Sequence, residues 1–190
     1  MYRMTLWHDL LIGFKMTIIN ANLQEKRHTM AKQKEIKTNV MRLLDKAKVS
    51  YEHREYEVDE NDLSGSHAAD ELGVDHSTLF KTLVLHGDKT GYLVCVIPVD
   101  EEVDLKKIAK VSGNKKTEML PMKELLPTTG YIRGGCSPIG MKKQFPTYIN
   151  ESAKEHEIIG VSGGQRGVQI LLSPADLAGY IHAEFADIIV

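Results

Sequence analysis

LFKTLVLH at residues 79–86 and YLVCVIPV at residues 92–99 are two apolar runs, and the short segment GDKTG separates them. Both runs are rich in β-branched residues and meet at a turn that contains glycine, a pattern that predicts a β-hairpin. Their polar residues are too few to form one solvated face, so we expect both strands to be buried. We therefore expect the fold to be organised around this hairpin.

Helices and further strands flank the hairpin without a regular repeat. After Asn39, apolar residues recur at the spacing of one helix face, namely Val40, Leu43, Leu44 and Ala47. Further helices are predicted to begin with Ser66, Asp104 and Ser173 as caps and with Pro121 in the first position. Further strands are predicted at 51–56, on both sides of the loop 134–140, and as a second hairpin at 157–161 and 168–172. This order favours an α+β (mixed α/β) domain with a mixed, mostly antiparallel sheet.

Composition excludes several classes of protein. The 190 residues are 42% hydrophobic and 26% charged, which is typical of one globular domain of roughly 150 residues. The net charge of −2 excludes a chain-wide basic field for nucleic acid. Neither a disulfide framework nor a zinc site is indicated by Cys95 and Cys136. No apolar run reaches the ~18 residues of a membrane span. We therefore expect a cytoplasmic protein with no membrane contact, metal or cofactor.

Residues 1–29 lack a sustained period of either helix or strand. Met30 is followed by a segment that reads like a natural protein start running into an amphipathic helix. We therefore expect residues 1–29 to be an extension, either disordered or the product of an early start site. Residues 30–190 are expected to form the single domain.

Lys81 is a cation inside the otherwise apolar strand FKTLV. Burying an ammonium group is costly unless it has a partner or faces a wet cleft. Strand alternation places Lys81 on the same side as Leu83 and Leu85, which favours a functional site over an exposed edge.

Two glycine-rich loops, GGCSPIG at 134–140 and SGGQRG at 162–167, could each direct backbone N–H groups at one oxygen. Neither matches the patterns of phosphate-binding or dinucleotide-binding loops. Basic residues are close to these loops in sequence, which makes a polyanionic ligand plausible. They are Lys106, Lys107, Lys110, Lys115, Lys116, Arg133, Lys142, Lys143 and Arg166. Cys136 and Ser137 lack a base in a recognisable catalytic arrangement, so we expect neither to be a nucleophile.

Five segments, in order, resemble the YbaK/EbsC family of aminoacyl-tRNA deacylases. They are FKTLV, DLKKIAKVSGNKKTEM, TGYIRGGCSPIGMKK, IIGVSGGQRG, and SPADLA with EFADI. The similarity runs from about Thr38 to the C-terminus. It implies an editing domain related to the insertion domain of prolyl-tRNA synthetases, with a barrel-like sheet flanked by helices. Such proteins typically remove cysteine from tRNA(Pro), so an aminoacyl-tRNA substrate and a prolyl-tRNA synthetase partner are implied.

The resemblance also implies roles for individual residues. Lys81 and Gly134 match the functional lysine and the glycine beside the scissile carbonyl, and we assign them as catalytic. The implied substrate-binding residues are Tyr56, Phe80, Thr82, Gly135, Ser137, Pro138, Gly140, Ser162, Gly163, Gly164 and Arg166. Gln169 stands where some relatives carry aspartate, so it is given no catalytic role. The family is thought to use the thiol of the substrate cysteine as nucleophile, which would explain why no triad is visible.

Two alternatives stay open at this point. One is a deacylase of the same fold that acts on tRNA charged with alanine or serine. The other is a tRNA-binding or nucleotide-binding module without catalysis. The sequence also leaves open the oligomeric state, the preferred amino acid and the need for a synthetase partner.

Overall fold

A computed structural model describes residues 37–190 of the chain. The expectations for residues 1–29 and for Met30 lie outside the described residues. Residues 37–190 form one compact unit that contains five α-helices, two short 3-10 helices and two β-sheets. The described part of the chain therefore has the expected α+β class.

The larger sheet is built around the hairpin. Its five strands are β2 (Phe80–Gly87), β3 (Gly91–Pro98), β4 (Thr117–Met119), β5 (Thr147–Asn150) and β8 (Glu184–Ala186). They lie in the order β4-β2-β3-β5-β8, with β2 antiparallel to β3 and β4, while β5 is parallel to β3 and β8. The hairpin prediction is confirmed, with register partners from Phe80 and Pro98 to Gly87 and Gly91.

The smaller sheet contains β1 (Glu52–Glu55), β6 (Ile159–Ser162) and β7 (Val168–Leu172). The strands lie in the order β1-β7-β6 and both pairings are antiparallel, which confirms the second hairpin. A single parallel bridge between Leu79 and Gly160 joins the two sheets. A Cβ on Gly160 would lie 2.5 Å from Leu79 Cδ1, so only glycine permits this approach.

The sheets are mixed and mostly antiparallel, as expected, but neither closes on itself. The barrel-like expectation is correct only in the sense that two open sheets meet along one side. Four of the six strand pairings are antiparallel. The two parallel pairings both involve β5, which lies between β3 and β8.

The five helices cover the sheets and begin at recognisable caps. They are α1 (Asn39–Ala47), α2 (Gly65–Leu72), α3 (Leu105–Val111), α4 (Met122–Thr129) and α5 (Pro174–Ile181). The side chains of Asp104 and Ser173 accept hydrogen bonds from the first turns of α3 and α5, which confirms both caps. Pro121 lies one position before the first helical residue of α4, rather than at it.

Two local predictions are wrong. The cap of α2 is Ser64, whose Oγ accepts a hydrogen bond from the His67 N–H, and not Ser66. Residues 129–133 are not a strand, because Gly130 ends α4 in the left-handed conformation and Gly134 also has a positive φ. The strand expected after the loop is present as β5.

The hydrophobic core lies on the hairpin. Leu85, Leu93, Cys95 and Ile97 form one buried cluster, against which Ile108 of α3 packs. A second cluster of Ala68, Ala69, Leu79 and Val99 anchors α2 to the start of β2. The start of β2 and the end of β3 therefore pack against α2, at the side of the sheet where a cavity lies.

Candidate active site

A cavity of about 330 Å³ lies where the two sheets, α2, α4 and the loop after α4 meet. Its volume falls in the range of about 300–1,000 Å³ that is usual for small-molecule sites. Most of its wall is apolar, and the polar side chains in the wall are few. The lining residues are Tyr56, Leu63, Ser64, Gly65, Ala68, Leu79, Phe80, Lys81, Thr82, Leu83, Val84, Val99, Met119, Leu120, Met122, Leu125, Arg133, Gly134, Cys136, Ser162 and Gln169.

The cavity opens along the half of β2 that β4 leaves unpaired. β4 pairs with Leu85, His86 and Gly87, so it does not cover the backbone edge of β2 before Leu85. Phe80, Lys81 and Thr82 on this half all line the cavity. Lys81, the unusual lysine of an apolar strand, therefore lies where β4 leaves the edge of β2 unpaired.

Lys81 is half-buried, and its Nζ donates a hydrogen bond of 2.7 Å to the carbonyl oxygen of Val99. Burial lowers the pKa of the Lys81 ammonium, while Asp100, Glu102 and Glu101 oppose that shift. The ammonium has two further N–H donors, so it can bind an anionic or carbonyl oxygen in the cavity while it keeps this contact.

The loop 134–140 enters the cavity through Gly134 and Cys136. Gly134 has φ +80°, which favours glycine, and a Cβ at this position would lie 3.4 Å from Arg166 and Leu63. Arg166 holds this turn because its Nε donates a hydrogen bond of 2.9 Å to the Arg133 carbonyl. Within the described residues, the amides of Gly134 and Cys136 donate to no protein acceptor. A ligand oxygen would therefore displace no protein acceptor from these two N–H groups.

The smaller sheet contributes two polar side chains that face each other across β6 and β7. Ser162 and Gln169 are register partners. The Ser162 hydroxyl accepts a hydrogen bond from the Gly164 N–H at 3.2 Å, which closes the turn 162–167. Gln169 is only 7% exposed, and its Oε1 has no hydrogen-bond partner. Thr82 Oγ1, on the β2 side of the cavity, is also buried without a partner.

Cys136 lies in the cavity wall as a protonated thiol, because burial raises its pKa to about 12. A thiolate is the nucleophilic form of cysteine, so this side chain is unreactive near neutral pH. Among the described lining residues there is no histidine, aspartate or glutamate that could act as a general base for Cys136 or Ser162. The cavity can thus bind and polarise a substrate, but its described residues supply no activated nucleophile.

The residues predicted from the sequence fall into two groups. Those that line the cavity are Tyr56, Phe80, Lys81, Thr82, Gly134 and Ser162. Those that do not line it are Gly135, Ser137, Pro138, Gly140, Gly163, Gly164 and Arg166. The residues of the first group line the cavity, and their roles in binding and catalysis remain predictions.

The second group has structural contacts instead. The Gly135 N–H donates to the Ile132 carbonyl at 3.1 Å, and Ser137 is fully buried, with its Oγ accepting from the Ile139 N–H. A Cβ on Gly163 would meet Val168, and one on Gly164 would meet Val40.

Pro138 and Gly140 line a different cavity of about 220 Å³, together with Phe145, Tyr180 and His182. Arg166 supports the loop from outside the first cavity and also pairs with Glu60 at 2.6 Å. This geometry therefore does not favour direct contact between these residues and a ligand in the first cavity.

Sequence reasoning missed several lining residues. Met119, Met122 and Leu125 form an apolar rim that is contributed by β4 and α4. Arg133 precedes the glycine loop and was one of nine basic residues near the two glycine-rich loops in sequence. Proximity to Gly134 was the one signal that could have identified it. The aspartate that some relatives carry at position 169 was the signal for Gln169, although its unpaired Oε1 depends on the packing of β7.

The basic residues noted in the sequence do not converge on the cavity. Of that group only Arg133 lines it. Lys107 pairs with Asp187 at 2.9 Å, and Lys116 pairs with Glu118 at 3.3 Å. Lys142 donates to carbonyl groups at the end of α4.

Residues 37–190 contain neither a metal-binding cluster nor a membrane-spanning helix. No group of three His, Cys, Asp or Glu side chains is arranged to hold a metal ion in this part of the chain. No helix between residues 37 and 190 is long and apolar enough to cross a bilayer.

The sequence pattern of the aminoacyl-tRNA editing domain matches residues 62–180, which include every cavity residue except Tyr56. The chain therefore belongs to the aminoacyl-tRNA editing domain family.

Individual relatives agree with this assignment. The chain is 53% identical over 160 residues to a protein of Enterococcus faecalis (strain ATCC 700802 / V583) named "Putative Cys-tRNA(Pro)/Cys-tRNA(Cys) deacylase EbsC", and the similarity covers 84% of this chain and 98% of that protein. It is 30% identical over 131 residues to the uncharacterized protein YwhH of Bacillus subtilis (strain 168), with 67% of this chain and 83% of YwhH covered.

A solved structure supports the fold. It is titled "Crystal structure of a putative trans-editing enzyme for prolyl tRNA synthetase" and matches with a TM-score of 0.68 at 20% identity, over 82% of this chain and 99% of that chain. At this identity the similarity concerns the fold alone.

Proposed function

We propose that this protein is a trans-acting deacylase that cleaves the aminoacyl ester of mischarged tRNA, with Cys-tRNA(Pro) as the main substrate. The observation that carries this proposal is the cavity itself, which has oxygen-binding groups and no activated nucleophile among its described residues. The name of the E. faecalis relative supports the choice of cysteine and tRNA(Pro). The reaction belongs to the cytoplasm, where charged tRNA is used.

In the proposed reaction the ester carbonyl lies against the amides of Gly134 and Cys136. Backbone donors placed in this way stabilise the negative charge that develops on the carbonyl oxygen. Lys81 binds the terminal adenosine or its phosphate, and Tyr56, Phe80 and Ser162 complete the contact surface. Arg133 supplies a second cation in the cavity wall.

The nucleophile comes from the substrate. The cysteine sulfur attacks the ester carbonyl carbon, the bond from that carbon to the ribose oxygen breaks, and the ribose hydroxyl takes up the proton lost by the thiol. The product is a cyclic thiolester, which water then opens to free cysteine. Since the thiol and the carbonyl belong to the same cysteinyl group, the cavity has only to hold the conformation in which the sulfur faces the carbonyl carbon. By this scheme the protein catalyses a lyase-type step, whereas attack by water would make it a hydrolase.

A prolyl-tRNA synthetase is the partner that we propose for tRNA selection. The described residues offer few cations near the cavity that could read a tRNA acceptor stem. Specificity for tRNA(Pro) would then be set by the synthetase that releases the mischarged tRNA. The rate of cysteine release should rise when that synthetase is added.

The experiment compares release of cysteine and alanine from tRNA(Pro) by wild type, Lys81→Ala and Lys110→Ala. Lys110 is an exposed lysine on α3 that does not line the cavity. We expect cysteine release by wild type and by the Lys110 variant, and a loss of roughly 10- to 100-fold in kcat/KM in the Lys81 variant, which lacks one charged hydrogen-bond donor to the substrate. Faster release of alanine would assign the protein to the alanine-specific relatives. Tight tRNA binding without release of either amino acid, with and without the synthetase, would make it a binding module.

A further inference from the structure

The cavity has an exposed rim of two methionines and one arginine. Met119 at the end of β4 is 44% exposed, Met122 at the start of α4 is 58% exposed, and both residues line the cavity. Arg133, which follows α4, is also exposed and lines the cavity. We call these three residues the methionine rim. Their side chains are accessible to solvent and can contact a molecule that fills the cavity.

The backbone of the methionine rim is anchored on both sides. Between the two methionines, the Leu120 N–H donates a hydrogen bond of 2.9 Å to the Val84 carbonyl of β2. The carbonyl oxygen of Arg133 accepts a hydrogen bond of 2.9 Å from Arg166 Nε. The rim is therefore a preformed surface, and a ligand that binds there does not have to order this backbone.

The proposed substrate brings a nucleobase close to this rim. The scissile ester joins the amino acid to the ribose of the terminal nucleotide, and the base is attached to that same ribose. When the ester carbonyl lies against the amides of Gly134 and Cys136, the base is separated from it by a single sugar ring. Arg133 is the chain neighbour of Gly134, and the whole rim lines the same cavity of about 330 Å³. The rim therefore lies within reach of the base.

The chemistry of the rim suits the face of a base and not its edge. The thioether of methionine is polarisable and makes favourable contacts with aromatic rings. The guanidinium group of arginine stacks on ring faces. A methionine side chain has no hydrogen-bond donor, and its sulfur is only a weak acceptor. A surface of this kind holds a base by stacking and does not distinguish one base from another.

We propose that the methionine rim binds the nucleobase of the terminal nucleotide, and that it holds the base by its face without recognising its identity. The inference rests on the proposed function and deepens it by naming a subsite for the base. The cysteine side chain of the substrate is not the occupant, because its sulfur must face the carbonyl carbon beside Gly134.

The first test varies the base. The 3′ end of tRNA(Pro) is made with adenosine, with guanosine or with a ribose that lacks a base, and each form is acylated chemically with cysteine. With wild type, kcat/KM for cysteine release should agree within about threefold for the two purines and fall at least about fivefold for the abasic end. Equal values for adenosine and the abasic end would overturn the base site. A loss with guanosine as large as that with the abasic end would show that the base is recognised by its edge.

The second test removes the rim. Met119→Ala/Met122→Ala should raise KM for the adenosine-ended substrate about tenfold and leave kcat within about twofold, because the contact is present before and during the reaction. The KM for the abasic substrate should change less than about twofold. Leu126→Ala is the matched control, since Leu126 is 50% exposed on α4 but does not line the cavity. An equal effect of the double variant on both substrates would show a structural role and overturn the proposal.

Oxidation of the methionines tests the rim without catalysis. Dilute hydrogen peroxide transfers one oxygen atom to an exposed thioether, which becomes a sulfoxide while the peroxide is reduced to water. Mass spectrometry of wild type should show faster oxidation of Met119 and Met122 than of Met41, which is 2% exposed. The hydrolysis-resistant 3′-cysteinylamino-3′-deoxyadenosine at saturation should slow oxidation of both rim methionines at least about threefold. The same molecule without its base should not slow it.

The oxidation result separates this inference from the proposed function. Protection that depends on the base, without cysteine release from Cys-tRNA(Pro), would refute deacylation but support the inference. Cysteine release without protection of the rim would do the reverse. Equal protection by the molecule without a base would overturn the assignment of the rim to the base. Protection by added prolyl-tRNA synthetase and not by the analogue would assign the rim to a protein partner instead.

Discussion

Arg166 joins the two glycine loops, because its Nε lies 2.9 Å from the carbonyl oxygen of Arg133 and its side chain lies over Gly134. Each loop alone is a weak sequence signal. Their connection explains why both occur in this domain. The loop 162–167 contributes support through Arg166, whereas the loop 134–140 contributes backbone amides to the cavity.

Arg166→Ala should destabilise the protein and reduce deacylation, because the turn at Gly134 loses its support. The loss of a hydrogen bond from a charged donor predicts about 1–3 kcal/mol. Urea unfolding and cysteine release by the same preparations measure the two effects. Glu60→Gln is the matched control, since it removes the exposed ion pair and keeps the bond to Arg133; its effect should stay below about 1 kcal/mol. Equal losses in the two variants would show that the ion pair, and not the bond to Arg133, holds the loop.

Gly134→Ala should reduce cysteine release because the loop must leave its positive φ or accept strain. Its φ is +80° and a Cβ would lie 3.4 Å from Arg166 and Leu63. The left-handed conformation costs a non-glycine residue about 1–2 kcal/mol. Gly73→Ala is the control, because Gly73 has φ +62° at the end of α2 and open space around it. Both variants should lose similar stability, but only Gly134→Ala should lose activity.

Cys136→Ala should retain deacylation within about threefold, because the half-buried Cys136 thiol is protonated near neutral pH and supplies no nucleophile. Burial raises the pKa values of Cys136 and Cys95 to about 12. Iodoacetamide at about pH 8 should therefore modify both thiols slowly in the native protein and quickly in urea. A loss of activity that parallels rapid native alkylation of Cys136 would contradict this interpretation.

The sequence was most informative where neighbouring residues decide the structure. The hairpin at 79–99 and the caps Asp104 and Ser173 depend on local patterns, and all of them are confirmed. Ser66 shows the limit, because its Oγ donates to Asp100, 34 positions away, and leaves the cap to Ser64. No local pattern could indicate that contact.

The candidate site shows the same limit. Lys81 was recognisable because a lysine in an apolar strand is unusual, and Gly134 because it lies in a glycine-rich motif. Gln169 was given no catalytic role, since it stands where some relatives carry aspartate. Its unpaired oxygen becomes visible only once β7 is placed against the cavity.

His76 links α2 to the segment after β3 in a way that should make stability depend on pH. Its Nδ1 lies 2.8 Å from Asp100 Oδ2 and its Nε2 lies 3.1 Å from Asp70 Oδ1. Hydrogen bonds to Asp70 and Asp100 raise the pKa of His76 above its usual value. A raised folded-state pKa means that the folded protein binds the proton more tightly than the unfolded chain. The stabilisation is therefore complete below the unfolded value of about 6.5 and is lost as the pH rises through the folded-state pKa.

Urea unfolding of wild type and His76→Gln at about pH 5.5 and about pH 9 isolates this contribution from that of the other histidines. The difference in free energy of unfolding between the two proteins should be larger at the lower pH, where the imidazolium donates from both nitrogens. The link ends at Asp100, which follows Val99, the residue that accepts the Lys81 hydrogen bond. Loss of the link between His76 and Asp100 should therefore alter the wall of the cavity as well as the stability of the protein. A difference that stays constant between the two pH values would show that His76 contributes through packing and not through its charge.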